Sequence, residues 1–210
     1  MHAIDPPWQI LQDRVATLGG SGGDTAGSVG RTLAAEEAWD VTVLVAAASK
    51  YGATAEIAEA IGRALRENGV AADVRPVDEV GDLSGYTGVV LGSAVYVGRW
   101  LEAARRFAEE RAEELAAKPT WLFSSGPVGD PPQPEADEAV QIEPLMVKSK
   151  AREHRLFAGK IDKSKLGFGE RALLLALRVP EGDFREWAEI AAWAKTIAGA
   201  IGEEGSSDVR

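Results

Sequence analysis

The stretch VTVLVAAASKYGATAEIAEAIGRALRENG, Val41–Gly69, decides how this chain folds. Its first seven residues are β-branched or apolar throughout, the pattern of a strand buried on both faces of a parallel sheet. The segment after Thr54 changes period. Ile57, Ala60, Ile61, Ala64 and Leu65 recur at spacings of three and four, which puts them on one face of a helix. Gly69 stands just past its end, where a left-handed cap favours glycine. Between strand and helix lies SKYGAT, Ser49–Thr54. It reads either as a tight strand-to-helix turn or as a phosphate seat made of two hydroxyls, a glycine and a helix N-terminus. It lacks the GK[ST] ending of a P-loop and the three glycines of a dinucleotide fingerprint.

Outward from this unit the alternation continues. VAADVRPV (Val70–Val77) predicts a second strand and TGVVLGSAV (Thr87–Val95) a third. A helix is expected over Trp100–Lys118, with Leu101, Ala104, Ala108, Ala112 and Leu115 inward. A fourth strand begins near Thr120, and His154–Ile161 forms a fifth. EADEAVQIEP (Glu135–Pro144) suggests a short helix that Pro144 disturbs. The last helix is expected to start at Asp183 as N-cap with Glu186 in the capping-box position. Its inner face would carry Trp187, Ile190, Ala191, Ala194, Ile197, Ala198 and Ile201. Strands alternating with helices imply right-handed βαβ units and an α/β fold with its sheet covered on both sides. Ligands then sit beyond the C-terminal strand ends, where the strand order reverses.

Composition narrows the chemistry. The 210 residues include no cysteine and only two histidines. Catalytic thiols, cysteine-held clusters and a histidine-rich zinc site are therefore excluded, and no metal ligand set is assigned. Redox chemistry would need a bound organic cofactor. A formal charge of −10 argues against nucleic acid as a partner. No apolar run approaches a membrane span, and the N-terminus shows no secretory pattern, so the expected location is cytoplasmic. Residues 1–40 include LGGSGGDTAGSVG (Leu18–Gly30) and are expected to form a flexible arm, with a short helix conceivable over Pro7–Leu18. Residues 41–202 are expected to form the domain, and 203–210 a polar tail.

Two further loops belong at the same sheet edge as SKYGAT. GSAVYVGRWL (Gly92–Leu101) places Tyr96 and Trp100 around Gly98, where aromatic rings can flank a planar ligand or Trp100 can simply pack at the start of its helix. SSGPVGD (Ser124–Asp130) offers small residues at a strand end, suited to a ligand or to a plain turn. Together the three loops read as one phosphate seat and a slot for a flat ring.

With these loops in place, Val41 to about Gly202 resembles the flavodoxin superfamily. That resemblance implies a flavodoxin-like three-layer sandwich, a five-stranded parallel sheet in order 2-1-3-4-5 and bound FMN. The family's phosphate loop reads Ser/Thr-x-Thr/Ser-Gly-x-Thr/Ser; Ser49, Gly52 and Thr54 match it, and Tyr51 replaces the middle hydroxyl residue. The FMN contacts it implies are Ser49, Lys50, Tyr51, Gly52, Ala53 and Thr54 in the first loop. In the second they are Ala94, Val95, Tyr96, Val97, Gly98 and Trp100, and in the third Ser124, Ser125, Gly126, Pro127, Val128, Gly129 and Asp130. Within the superfamily, SKYGAT, GSAVYVGRW, HRLFAGKID and PEGDFREWAEIAAWA resemble the menaquinone-dependent protoporphyrinogen oxidase branch. This implies oxidation of protoporphyrinogen IX with a quinone as acceptor, in haem biosynthesis. Lys163–Asp183 would be an inserted element in which Phe168, Leu173, Leu174 and Leu177 face a quinone, a membrane surface, a partner or the domain itself. Membrane contact would be at most peripheral, at the inner face. The alternative is a flavodoxin-type electron carrier docking to a partner reductase, and a third reading is a domain that no longer binds flavin. His154 is expected to be structural or solvent-facing. No residue is assigned as general acid or base.

Overall fold

The computed structural model describes residues 42–96, 98–126, 140–169, 171 and 181–207. The expected arm at 1–40 and the helix suggested within it lie outside these residues. Five strands pair in parallel: β1 (Thr42–Ala48), β2 (Ala71–Pro76), β3 (Gly88–Tyr96), β5 (Thr120–Gly126) and β6 (Glu153–Ala158). Their spatial order is β2-β1-β3-β5-β6, the expected 2-1-3-4-5 when only parallel strands are counted. A two-residue strand, β4 (Arg99–Trp100), folds back antiparallel on the end of β3.

Because side chains alternate along a strand, each strand feeds both faces. Val43, Val45 and Ala47 of β1, Val90 of β3 and Phe123 of β5 pack on one side, under helices α1 (Ala53–Glu67) and α5 (Trp187–Ser207). Leu44, Ala46, Val89, Leu91 and Leu122 pack on the other, under α2 (Glu102–Glu110), α3 (Ala112–Ala116) and α4 (Glu143–Ser149). The expected inner face of α1 is buried or half-buried, and Gly69 takes φ 84°, the left-handed conformation its position called for.

Several local expectations are corrected. The helix drawn over Trp100–Lys118 divides at Arg111, whose guanidinium lies 5.6 Å from the Phe107 ring and 3.0 Å from Glu114, bridging the bend. Trp100 belongs to β4 rather than to that helix. Of the helix suggested over Glu135–Pro144, residues 135–139 lie outside the described residues; Pro144 itself opens a helix, in the first turn of α4, where its missing N–H costs nothing.

The fifth strand stops at Ala158. Lys160–Ile161 form a separate strand, β7, paired antiparallel with β8 (Gly182–Asp183). Asp183 is therefore a strand residue and no helix cap, and α5 starts at Trp187, with the Glu186 carbonyl accepting from Ile190 N–H. Of the expected inner face of α5, Ile190, Ala194, Ile197, Ala198 and Ile201 are buried. Trp193 is buried, while Trp187 and Ala191 are exposed. α5 continues through Ser207, beyond the boundary expected at 202.

Candidate functional site

Register fixes which strand ends share an edge. Ala48 pairs with Ser93, Ser93 with Ser124 and Ala94 with Ser125, so the chain leaves β1, β3 and β5 side by side. The strand ends from which the three loops start therefore lie at one C-terminal edge. Val97 and Pro127–Asp130 lie outside the described residues.

The first loop is a closed turn. Gly52 N–H donates to Ser49 Oγ at 3.1 Å, and Gly52 takes φ 92° as it caps α1. That conformation is why a glycine is needed, because a Cβ there would meet nothing within 4 Å. The first intrahelical bond runs from Glu56 N–H to Gly52 C=O at 2.9 Å. The amides of Ala53, Thr54 and Ala55 before it consequently have no partner within the helix and point out along its N-terminal axis. Thr54 is buried in the same turn. Oriented amides, two hydroxyls and an open glycine form a donor set that fits a phosphate.

Lys50 links the first loop to the second. Its Nζ lies 5.1 Å from the Tyr51 ring and 5.1 Å from the Tyr96 ring, so Tyr51, the departure from the family pattern, stacks against a cation instead of offering a third aliphatic hydroxyl. Tyr96 is partly exposed at the end of β3, with Gly98 at φ 71° turning the chain back into β4. Trp100 behaves differently. It is 4% exposed, sits in the core beneath α2, and its indole N–H donates to Ser124 Oγ at 2.7 Å. Ser124 Oγ in turn lies 2.8 Å from His154 Nε2. Ser93, also buried, accepts from Leu101 N–H at 3.0 Å and donates to Ala94 C=O. Trp100 and Ser124 thus brace the hairpin from below, and Tyr96 is the described aromatic of this hairpin left at the surface.

The third loop starts from a tight place. A Cβ on Gly126 would come 3.1 Å from Val95 Cβ, so glycine keeps the ends of β3 and β5 close together. Ser125 beside it is buried.

Sequence reading missed one residue at this edge. Arg185 lies under the first turn of α1, its side chain 2% exposed. It donates from Nε and Nη2 to the two oxygens of Asp183 at 2.7 and 2.5 Å, and from Nη1 to Ala53 C=O at 3.1 Å. Nη1 also lies 2.7 Å from Glu56 Oε2, and the guanidinium carbon 4.3 Å from the centre of the Trp187 ring. The hydrogen bond from Arg185 holds the Asp183 carboxyl below its ordinary value, and that same bond raises the guanidinium's own. A groove of ≈ 710 Å³ runs beside this edge rather than on it, from Gly52 along Glu56, Glu59 and Arg63 to Trp187. Among the described residues there is no group of three or more His, Asp or Glu placed to hold a metal ion, and no helix is long and apolar enough to cross a membrane.

The flavodoxin domain family matches residues 44–186, and the chain belongs to it. Protoporphyrinogen IX dehydrogenase (quinone) of Escherichia coli K12 is 23% identical over 169 residues, covering 74% of this chain and 93% of that protein. Among solved structures, a flavodoxin from the domain Archaea superposes with a TM-score of 0.52 at 19% identity, over 77% of this chain and 99% of that one. Rubredoxin oxygen:oxidoreductase from Desulfovibrio gigas gives 0.53 at 12% identity, over 77% of this chain and 36% of the larger one. These likenesses establish the α/β flavodoxin-like fold.

Proposed function

We propose that this member of the flavodoxin domain family is an FMN-dependent oxidoreductase that oxidises protoporphyrinogen IX and passes the electrons to a quinone. The observation that carries the reading is the common edge, with the Ser49–Thr54 turn, the Tyr96–Trp100 hairpin and the end of β5 adjacent in register. Ser49, Thr54 and the amides of Ala53–Ala55 would hold the phosphate, with Gly52 shaping the turn. Tyr96, with Ser125, Gly126 and the segment after it, would border the ring. FMN, when bound, supplies the two-electron chemistry that a chain without cysteine lacks. The residues bind and orient it, and the buried Trp100–Ser124 hydrogen bond keeps the hairpin at a fixed height.

The oxidase reading draws its support from the E. coli relative, which this chain matches over 93% of that protein's length. A cytoplasmic protein touching the inner face of the membrane suits a quinone acceptor, and Phe168, 92% exposed in the segment between β7 and β8, suits such contact. The second reading, an electron carrier docking to a reductase, is favoured by the charge of −10.

Purified protein is expected to be yellow and to release FMN on heating. Colourless protein that ignores added FMN removes both readings. Anaerobic mixing with protoporphyrinogen and a menaquinone analogue then separates them, because quinone turnover marks the enzyme and its absence the carrier. Ser49→Ala with Thr54→Val should weaken FMN binding by about 2–3 kcal/mol by titration, as expected for two hydroxyls on a charged group. Unchanged affinity rejects the phosphate assignment.

A further inference from the structure

We propose that Arg185 is the positioning residue of the phosphate seat. By clamping the first turn of α1 and drawing the Glu56 carboxylate onto itself, it sets how strongly the β1–α1 loop prefers a phosphorylated flavin. The inference rests on the FMN reading and adds a residue that stands 132 positions along the chain from the Ala53 it holds.

A guanidinium this deeply buried is costly unless every donor is matched. Asp183 takes two of its nitrogens in a bidentate pair, which would already neutralise it. The third nitrogen goes instead to α1, where it binds the Ala53 carbonyl and the Glu56 carboxylate together. Both partners matter for an anion at the helix start. The peptide planes after Gly52 aim the amides that would receive the phosphate, and fixing the Ala53 carbonyl fixes one of those planes. Glu56 favours the helix dipole, yet beside a phosphate its negative charge would repel the ligand. Its bond to Arg185 Nη1 draws that carboxylate onto a guanidinium it shares with Asp183. Trp187 closes the remaining face of the guanidinium. A lysine could serve only part of this forked set of partners.

If the cluster merely fastened α5 to α1, its loss would weaken any flavin equally. The discriminating probe is therefore the ratio of affinities for FMN and for riboflavin, which lacks the phosphate, measured by flavin fluorescence quenching on the full chain. Arg185→Met should raise the dissociation constant for FMN about tenfold, the scale of one charge-assisted hydrogen bond at the seat, while that for riboflavin stays within about twofold. Glu56→Gln should bind FMN up to about threefold more tightly, because a repelling charge is gone while Asp183 still holds Arg185. Combined with Arg185→Met, it should recover about threefold of the loss, since a stranded carboxylate is then gone. Equal losses for both flavins, or an unchanged ratio, overturn the proposal. Where Arg185→Met does not fold, Arg185→Lys decides, with a lowered FMN preference supporting the clamp and an unchanged one refuting it. An unaltered chain that binds neither flavin removes the FMN reading and this inference with it. One that binds FMN and riboflavin equally removes the phosphate seat.

Discussion

Phe123 and Ser124 are neighbours in β5, both fully buried, and they face opposite sides of the sheet into different kinds of interior. On the α1/α5 side, Phe123 meets Phe157 and Trp193 at centroid separations of 6.2 and 6.4 Å, a cluster of three rings. On the α2–α4 side, Ser124 links Trp100 to His154. The first side is held by shape, and glycine is part of that shape, because a Cβ on Gly92 would come within 2.0 Å of the Phe123 ring. The second is held by directed bonds that tie the hairpin bearing Tyr96 to β5 and β6. At this level of β5, close packing thus serves one face, and directed bonds hold the hairpin over the other.

The division is broken most severely at Gly92. Gly92→Val should destabilise the domain by about 3 kcal/mol or more through overpacking. Adding Phe123→Leu should recover part of this by vacating ring volume, measured by denaturant unfolding; strict additivity would show that the clash is relieved elsewhere. On the polar side, Ser124→Ala leaves the Trp100 indole N–H without its acceptor and should cost about 1–2 kcal/mol. It should also loosen FMN binding by releasing the hairpin, an effect Gly92→Ala in a chain that still folds should not share. Equal effects on affinity would erase the contrast between the faces.

The smallest expected effect lies at the rim of the α1/α5 side. The hydrogen bond from Arg185 lowers the folded-state value of Asp183, so its contribution is present above the ordinary carboxylate value near ~3.9 and is lost as pH falls through the lower folded value. The Asp183 side chain is 39% exposed, which keeps the effect small. Melting temperature followed from neutral to acid pH should fall less steeply below about pH 4 in Asp183→Asn than in the unaltered chain. Parallel curves would place the acid sensitivity elsewhere.

The sheet is legible in the sequence because its strands announce themselves. VTVLVAA is β-branched or apolar throughout and TGVVLGSAV has an apolar centre with no charge, so their burial follows from composition. The first loop is legible too, since Gly52 and the helix after it leave few conformations open. What escapes are features made by distant partners. Asp183 looks like a helix cap until Arg185 claims its carboxylate, and Trp100 looks like a ring-stacking residue until Ser124 accepts its N–H. Trp193 escapes because it lies on the flank of the stripe read at Ile190, Ala194, Ile197 and Ile201, a place where a helix packed between neighbours also buries residues. Nothing local separates a tryptophan that flanks a ligand from one that braces the loop, and Arg185 carries no motif.

The β7–β8 pair has a consequence for the chain between its strands. Lys160 lies opposite Asp183 and Ile161 opposite Gly182, so the two ends of the intervening segment are stapled together. For a flexible loop closed at a fixed neck, each doubling of length costs only about 0.6 kcal/mol. The neck therefore insulates the sheet from whatever is inserted beyond it, and that segment is free to diverge in length and sequence as an exchangeable cassette while the parallel strands keep their register.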